Sequence, residues 1–196
     1  MPLKGYNGAR EVAMPQEAKD TFDAGIKKIK ETIIKSGFDP AAAEMLEIKF
    51  TGHTLTISEE ERISGAYHSH ADGKPFYALS ISAPGSLFDL GSPTEKMPPT
   101  SLNPLQQAVY LAFEIGTNVA SLMNRALTEI LLVPDTDGTL TSGVTSSIGP
   151  TISFETATRC DPALYCVALN ELTALRLKQL VPAAPAAKAP RQSFKL

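Results

Sequence analysis

The most extended apolar pattern of the chain runs from Pro104 to Leu132 and predicts one long helix. Apolar residues recur here at every third or fourth position, which is the spacing of a single helical face. They are Leu105, Val109, Ala112, Ile115, Val119, Leu122, Ala126 and Ile130. Asn103 suits the N-cap, and Gln106 suits the third helical position of a capping box. Because the stretch is poor in charge, we expect a central helix that is covered on more than one side.

Two amphipathic patterns predict further helices on either side of this stretch. The first runs from about Pro15 to Ser36, and Gly37 suits its C′ position. Its buried stripe is predicted to be Ala18, Phe22, Ile26, Ile29 and Ile33. The second begins at Pro162, after the N-cap Asp161, and ends before Pro182. Its inward positions are predicted to be Leu164, Ala168, Leu172 and Leu175, with Leu169 and Leu180 alongside.

Alternation of apolar and polar residues predicts strands in the intervals between the helices. Residues 46–58 alternate on both sides of Thr51-Gly52-His53, which we interpret as a hairpin turn. A second hairpin is predicted from about Ile63 to Ser82, around Asp72-Gly73. The segment from Thr151 to Thr156 alternates in the same way and predicts one more strand.

Together these elements predict a single α+β domain at residues 15–181, in which a small antiparallel sheet of hairpins packs against three helices. Residues 1–14 lack periodicity and are predicted to form an irregular N-terminal arm. Residues 182–196 are rich in Pro and Ala, which predicts a C-terminal tail without a core of its own. Irregular arms of this kind are suited to reaching neighbouring subunits.

The charge balance indicates which classes of partner are not expected, and the cysteine content indicates the redox state of the compartment. A net charge of -3 gives no electrostatic attraction toward nucleic acid or anionic lipid, so neither is expected as a partner. No segment has the apolar core of a signal peptide or the pattern of a transmembrane helix, so we expect a cytoplasmic protein, or one incorporated into a particle. Cys160 and Cys166 are too few for a disulfide framework and are expected to be reduced thiols.

His68 and His70 form the main candidate for a chemical site. Residues two apart on a strand point to the same face, so two imidazoles at this spacing can bind one zinc ion. The third ligand is predicted to be Asp89, with His53 and Asp72 as alternatives. This site would take Zn as its cofactor, whereas the preferred interpretation below has no cofactor.

The segment Gly65-Ala66-Tyr67-His68-Ser69-His70, with Gly73 three places on, resembles the zinc-binding core of the JAMM/MPN isopeptidases. The resemblance implies zinc-dependent hydrolysis, with a Ser-x-x-Asp segment completing the metal site and an upstream Glu as general acid/base. In this chain Ala71 stands where the family has a proline. The segment Ser86-Leu87-Phe88-Asp89 has the required order but comes about eight residues later than in the family. Glu44 or Glu47 would stand for the upstream Glu.

The preferred interpretation is a non-enzymatic, self-associating structural subunit, such as a component of a virion, a sheath or another particle. It is based on the lack of a complete catalytic motif, on the wide apolar surface of the central helix and on the two arms. The expected partners are copies of the same chain or other subunits of an assembly. The interface is predicted at Leu111, Phe113, Met123, Leu127 and Phe194.

Two alternatives to an assembly subunit follow from the same sequence. One is a small metal-dependent hydrolase that uses His68 and His70. The other is a peptide or small-ligand binding module, with its pocket under the proline-rich connection from Pro84 to Asn103.

Overall fold

Five antiparallel strands form a single sheet in the described part of the chain, in the order β1-β2-β3-β5-β4. The strands are β1 (Ala9–Val12), β2 (Glu47–Leu55), β3 (Pro75–Pro84), β4 (Gly143–Ser146) and β5 (Thr151–Thr158). The computed structural model describes residues 9–55, 75–90, 98–123, 143–146, 151–158 and 160–181. One face of the sheet is apolar and buried, at residues such as Leu79, Ile81 and Ile152. The other face carries Lys49, Ser80 and Glu155 in one cross-strand row.

Helices cover the apolar face of this sheet, the first and third through direct contact with its strands and the second and fourth mainly by packing on the other helices. They are α1 (Gln16–Lys35), α2 (Pro40–Met45), α3 (Pro104–Phe113) and α4 (Pro162–Leu180). Two short 3-10 helices, Leu87–Leu90 and Pro99–Ser101, lie in the proline-rich connection between β3 and α3. The predicted α+β class, a small antiparallel sheet packed against helices, is confirmed. None of the described helices is both long enough and apolar enough to cross a membrane.

The predicted C-terminal signal of α1 is confirmed, and so is its buried stripe except at Ile26, which is half-buried. Phe22, Ile29 and Ile33 are at most 1% exposed and form the centre of the core. Gly37 has a φ of +96°, a left-handed conformation that a residue without Cβ adopts without strain. The Phe38 N–H then donates to the Ile33 carbonyl at 3.4 Å, so the chain folds back over the last turn.

The central helix begins as predicted and then changes its hydrogen-bonding pattern. The Gln106 N–H donates to Asn103 Oδ1 at 2.9 Å, and the Asn103 N–H donates to Gln106 Oε1 at 3.2 Å, which completes the capping box. After α3 the chain is π-helical at Glu114–Ala120, a feature that the sequence pattern did not predict. Residues 121–123 are α-helical again, and the rest of the predicted helix lies outside the described residues.

The hairpin turn predicted at Thr51-Gly52-His53 is wrong, because these residues lie inside the continuous strand β2. Their partners on β3 are Ala78, Tyr77 and Phe76 in unbroken antiparallel register. A glycine is needed at position 52 because another segment of backbone comes close to β2 there, and not because the chain turns. A Cβ added there would lie 3.1 Å from the Val12 carbonyl oxygen, where β1 ends and the chain crosses toward α1. The second predicted hairpin is described only through its last strand, β3.

The N-terminal arm predicted at residues 1–14 contains a strand. Residues 9–12 form β1, which pairs with β2 from Ala9 opposite Leu55 to Val12 opposite Gly52. Residues 1–8 of the arm and residues 182–196 of the C-terminal tail lie outside the described residues.

The inward face predicted for α4 is also wrong at three of its four positions. Leu164, Leu172 and Leu175 are 47%, 38% and 55% exposed. The residues that α4 buries instead are Tyr165, Cys166, Leu169, Thr173 and Leu177. The helix is apolar on both sides, so periodicity alone did not identify the side that faces the core.

Candidate functional site

The predicted zinc site lies mostly outside the part of the chain that the structure describes. His68 and His70 are outside it, and Asp89 belongs to the 3-10 helix Leu87–Leu90. His53, an alternative third ligand, lies in the middle of β2. Among the described residues, no three His, Cys, Asp or Glu side chains are grouped so that they could hold a metal ion. The zinc site therefore stays a prediction.

His53 is a buried histidine of the sheet. It is 3% exposed, and its Nε2 lies 2.8 Å from the Thr51 hydroxyl oxygen, two residues away on the same face of β2. Burial lowers the pKa of His53 from its ordinary value, against a smaller opposing effect of Glu11. The side chain is therefore held in its neutral form within the sheet.

The two cysteines are buried free thiols. Burial raises the pKa of Cys160, and it raises the pKa of Cys166 to about 11. Since only the thiolate is an effective nucleophile, both groups are poorly suited to covalent chemistry at neutral pH.

A partly buried ion pair joins the π-helical segment to α4. Glu114 is 6% exposed, and its Oε2 accepts hydrogen bonds from Arg176 Nε at 2.8 Å and from Asn118 Nδ2 at 2.9 Å. Burial is the main reason that the pKa of Tyr110 is raised to about 12, and the negative charge of Glu114 is the second cause. The hydrogen bond to Glu114 raises the pKa of Arg176. These contacts hold two helices together, so we assign the cluster a structural role.

The predicted interface residues fall into three groups. Leu111 and Met123 are 0% and 2% exposed and belong to the core of the chain itself. Phe113 is half-buried, with its ring 6.1 Å from that of Phe154. Leu127 and Phe194 lie outside the described residues. The surfaces open to a partner must therefore be sought elsewhere on the described part of the fold.

The first such surface is the α4 stripe, a row of large apolar side chains on the outer side of α4. Its members and their exposed fractions are Leu164 at 47%, Val167 at 51%, Leu172 at 38% and Leu175 at 55%. At 100° per residue these four positions fall within about 140° of the helix circumference. They therefore share one face, which also carries the exposed Glu171 between them and the exposed charged residues Asp161 and Lys178 near its two ends.

The second surface is the β2 groove, which lies between the first half of α1 and the edge of β2. Since β1 pairs only with residues 52–55, the edge of β2 at Glu47–Thr51 has no strand beside it in the described part of the chain. The cavity next to this edge has a volume of about 390 Å³. Apolar lining residues include Phe22, Ile26 and Ile48, and charged ones include Lys19, Asp23 and Lys49.

Comparison of the chain with known protein families, with curated protein sequences and with solved structures finds no match. The features that bear on function are therefore the α4 stripe and the β2 groove.

Proposed function

We propose that this protein is a non-enzymatic, self-associating assembly subunit, and that copies meet through the α4 stripe. The observation that carries the proposal is the exposure of four large apolar side chains on one face of a well-formed helix. Contiguous apolar surface of this kind usually marks an interaction site, because its burial is worth roughly 25 cal/mol per Å². A particle or sheath subunit needs such a contact.

A second copy of the chain fits the stripe because the stripe is self-complementary. When two α4 helices pack antiparallel about a twofold axis between Leu169 and Asn170, Leu164 meets the Leu175 of the other copy. The same axis brings Val167 against Leu172, so each stripe residue meets another. An isologous contact of this type is the commonest way in which identical chains form dimers.

The charges at the ends of the stripe agree with the same arrangement. The axis that pairs Leu164 with Leu175 also places Asp161 opposite the Lys178 of the second copy, and both residues are exposed in the single chain. A parallel arrangement would instead bring like charges together, Asp161 to Asp161. Charge complementarity at the rim sets orientation more than affinity, so it favours the antiparallel pair.

The proposal is tested by the mass of the protein in solution. We expect the wild-type chain to form a dimer, twice its mass of 20.9 kDa, in light scattering coupled to size exclusion. Leu175→Glu places two charges in the apolar contact and is expected to give a monomer with an unchanged circular dichroism spectrum. Ile34→Glu is the matched control, since Ile34 is an exposed apolar residue of α1 outside the stripe.

Two outcomes contradict the proposal. One is a wild-type chain that stays monomeric over a wide range of concentrations. The other is a Leu175→Glu variant that keeps the wild-type mass. Equal effects of Leu175→Glu and Ile34→Glu would show that added charge, rather than the stripe, causes the change.

A further inference from the structure

We propose that the β2 groove binds residues 191–196 of a second copy as an added β-strand. This inference rests on the proposed self-association and names a second contact between the same two chains. It assigns residues 191–196 as the segment that pairs with the edge of β2 at Glu47–Thr51 and fills the groove beside it.

The edge of β2 offers the main-chain partners that an added strand needs. In an antiparallel sheet, every second residue of an edge strand directs its N–H and C=O groups outward. At Glu47–Thr51 these groups face the groove, and α1 forms the opposite wall through Phe22 and Ile26. Extended peptides are commonly bound in this way, with main-chain hydrogen bonds to the edge and pockets for alternate side chains.

Residues 191–196 have the alternation that this position requires. In Arg-Gln-Ser-Phe-Lys-Leu, the side chains of Gln192, Phe194 and Leu196 share one face of an extended strand. Arg191, Ser193 and Lys195 share the other face. An apolar residue can therefore enter the groove while the basic residues stay on the polar face of the sheet.

One antiparallel register satisfies both faces. When Phe194 lies opposite Ile48, the Phe194 ring enters the groove on the side of the sheet that the helices cover. In the same register Lys195 lies opposite Glu47, an exposed residue of the polar face, and the small Ser193 lies opposite Lys49. Opposite charges in directly facing positions stabilise a strand pair.

The geometry of the helices favours the tail of the other copy over the tail of the same chain. The Cys166 thiol lies 3.9 Å from the Thr21 carbonyl oxygen, and Asn170 accepts a hydrogen bond from the Thr32 hydroxyl at 2.7 Å. Thus α4 runs parallel to α1, and its C-terminal end lies roughly 21 Å beyond the level of Cys166, away from the groove.

Antiparallel pairing of α4 reverses this relation. It places the C-terminal end of the α4 helix of the second copy beside Asp161, at the level of the first half of α1. The Pro/Ala-rich residues 182–190 can then cover about 28 Å in an extended form, at about 3.1 Å per residue. The tail of the second copy therefore starts at the level of the groove, whereas the tail of the same chain would use roughly 21 Å of its reach of about 28 Å to return to that level.

Disulfide trapping between two separately labelled chains tests the inference. Lys49→Cys is made in one full-length chain and Ser193→Cys in another, and the two are mixed under mild oxidation. The native cysteines are 4% and 7% exposed and do not compete. We expect a covalent heterodimer on a non-reducing gel. The matched control Gln192→Cys points its side chain to the other face and is expected to give at least fivefold less product.

The remaining outcomes separate this inference from the proposed function. Equal trapping by Ser193→Cys and Gln192→Cys, or no trapping, overturns the added strand. An intramolecular disulfide in the double variant Lys49→Cys/Ser193→Cys, without a heterodimer in the mixture, overturns exchange between copies. If Leu175→Glu abolishes the dimer while trapping fails in the wild-type background, self-association stands and the tail is not the occupant of the groove.

Discussion

At Gly25, α1 and α4 approach so closely that no side chain fits between them. A Cβ placed on Gly25 would lie 2.5 Å from Cys166 Sγ and 2.9 Å from Cys166 Cβ. The sequence pattern gives no reason for a glycine in the middle of this helix, where it lowers helix propensity by about 1 kcal/mol relative to Ala. The reason lies on another element that is distant in sequence.

We expect Gly25→Ala to lower the free energy of unfolding by about 1–2 kcal/mol, because overpacking outweighs the gain in helix propensity. Urea denaturation measures the change. In a Cys166→Ala background the closest atom is gone while Cβ stays 2.9 Å away, so the same substitution is expected to cost clearly less than in the wild-type background. A loss of equal size in both backgrounds would contradict the steric explanation.

The burial of His53 predicts a pH dependence of stability. Its pKa is lowered in the folded chain from the ordinary value of 6.5, so the unfolded chain binds the proton more readily. This contribution is complete above about pH 6.5 and is lost as the pH falls from there through the folded-state pKa. We expect the urea concentration at the midpoint of unfolding to decrease as the pH is lowered from 7 to 5 at constant ionic strength.

His53→Gln removes the titrating group and serves as the comparison for this pH dependence. Since His68 and His70 are present in both proteins, the difference between the two pH profiles isolates His53. We expect the profile of the variant to be flatter. Parallel profiles would show that burial of His53 does not cause the acid sensitivity.

At the scale of elements, the π-helical segment depends on what packs against it. A Cβ on Gly116 would lie 2.5 Å from Cγ of Phe154, so the segment can approach β5 only with a glycine at this point. On its other side Glu114 is paired with Arg176 of α4. The apolar repeat predicted a helix here correctly, but a change of hydrogen-bonding pattern has no signature in such a repeat.

We expect Arg176→Met to lower the free energy of unfolding by about 2 kcal/mol, because it leaves the Glu114 carboxylate buried without its cation. The cost is smaller than for a fully buried pair, since the Arg176 side chain is 32% exposed. Adding Glu114→Gln removes the buried charge and should recover most of the loss. Thermal denaturation measures these stabilities. A double variant Arg176→Met/Glu114→Gln that is less stable than Arg176→Met alone would contradict this explanation.

Two of the errors in the sequence-based prediction have different physical causes. At Thr51-Gly52-His53, a glycine between polar residues indicated a turn, but pairing with β1 and β3 keeps β2 extended. At α4, both sides of the helix are apolar, so the repeat fits either orientation. In both cases the decisive contacts come from residues far away in the sequence.

At the scale of the whole molecule, the two candidate functions differ in metal content. If the protein is an assembly subunit, we expect the purified chain, after incubation with zinc and desalting, to retain much less than one zinc per chain. Inductively coupled plasma mass spectrometry gives this ratio. One zinc per chain that is lost in both His68→Ala and His70→Ala would instead support the hydrolase alternative and contradict our preference.

Features whose cause lies within a few residues could be predicted from the sequence alone. The capping box at Asn103, the left-handed Gly37 and the start of α4 at Pro162 are local hydrogen-bonding and steric effects, and each is confirmed. Amphipathic spacing likewise identified the buried side of α1, because only one side of that helix is apolar.

Tertiary packing, rather than any local pattern, left particular surfaces available to a partner. It placed Leu111 and Met123 in the core, turned Leu164 and Leu175 outward, and ended β1 at Val12, so that no strand in the described part of the chain covers the β2 edge at Glu47–Thr51. Each of these results depends on how elements distant in the sequence divide a limited amount of apolar surface. A repeat along one segment does not contain that information.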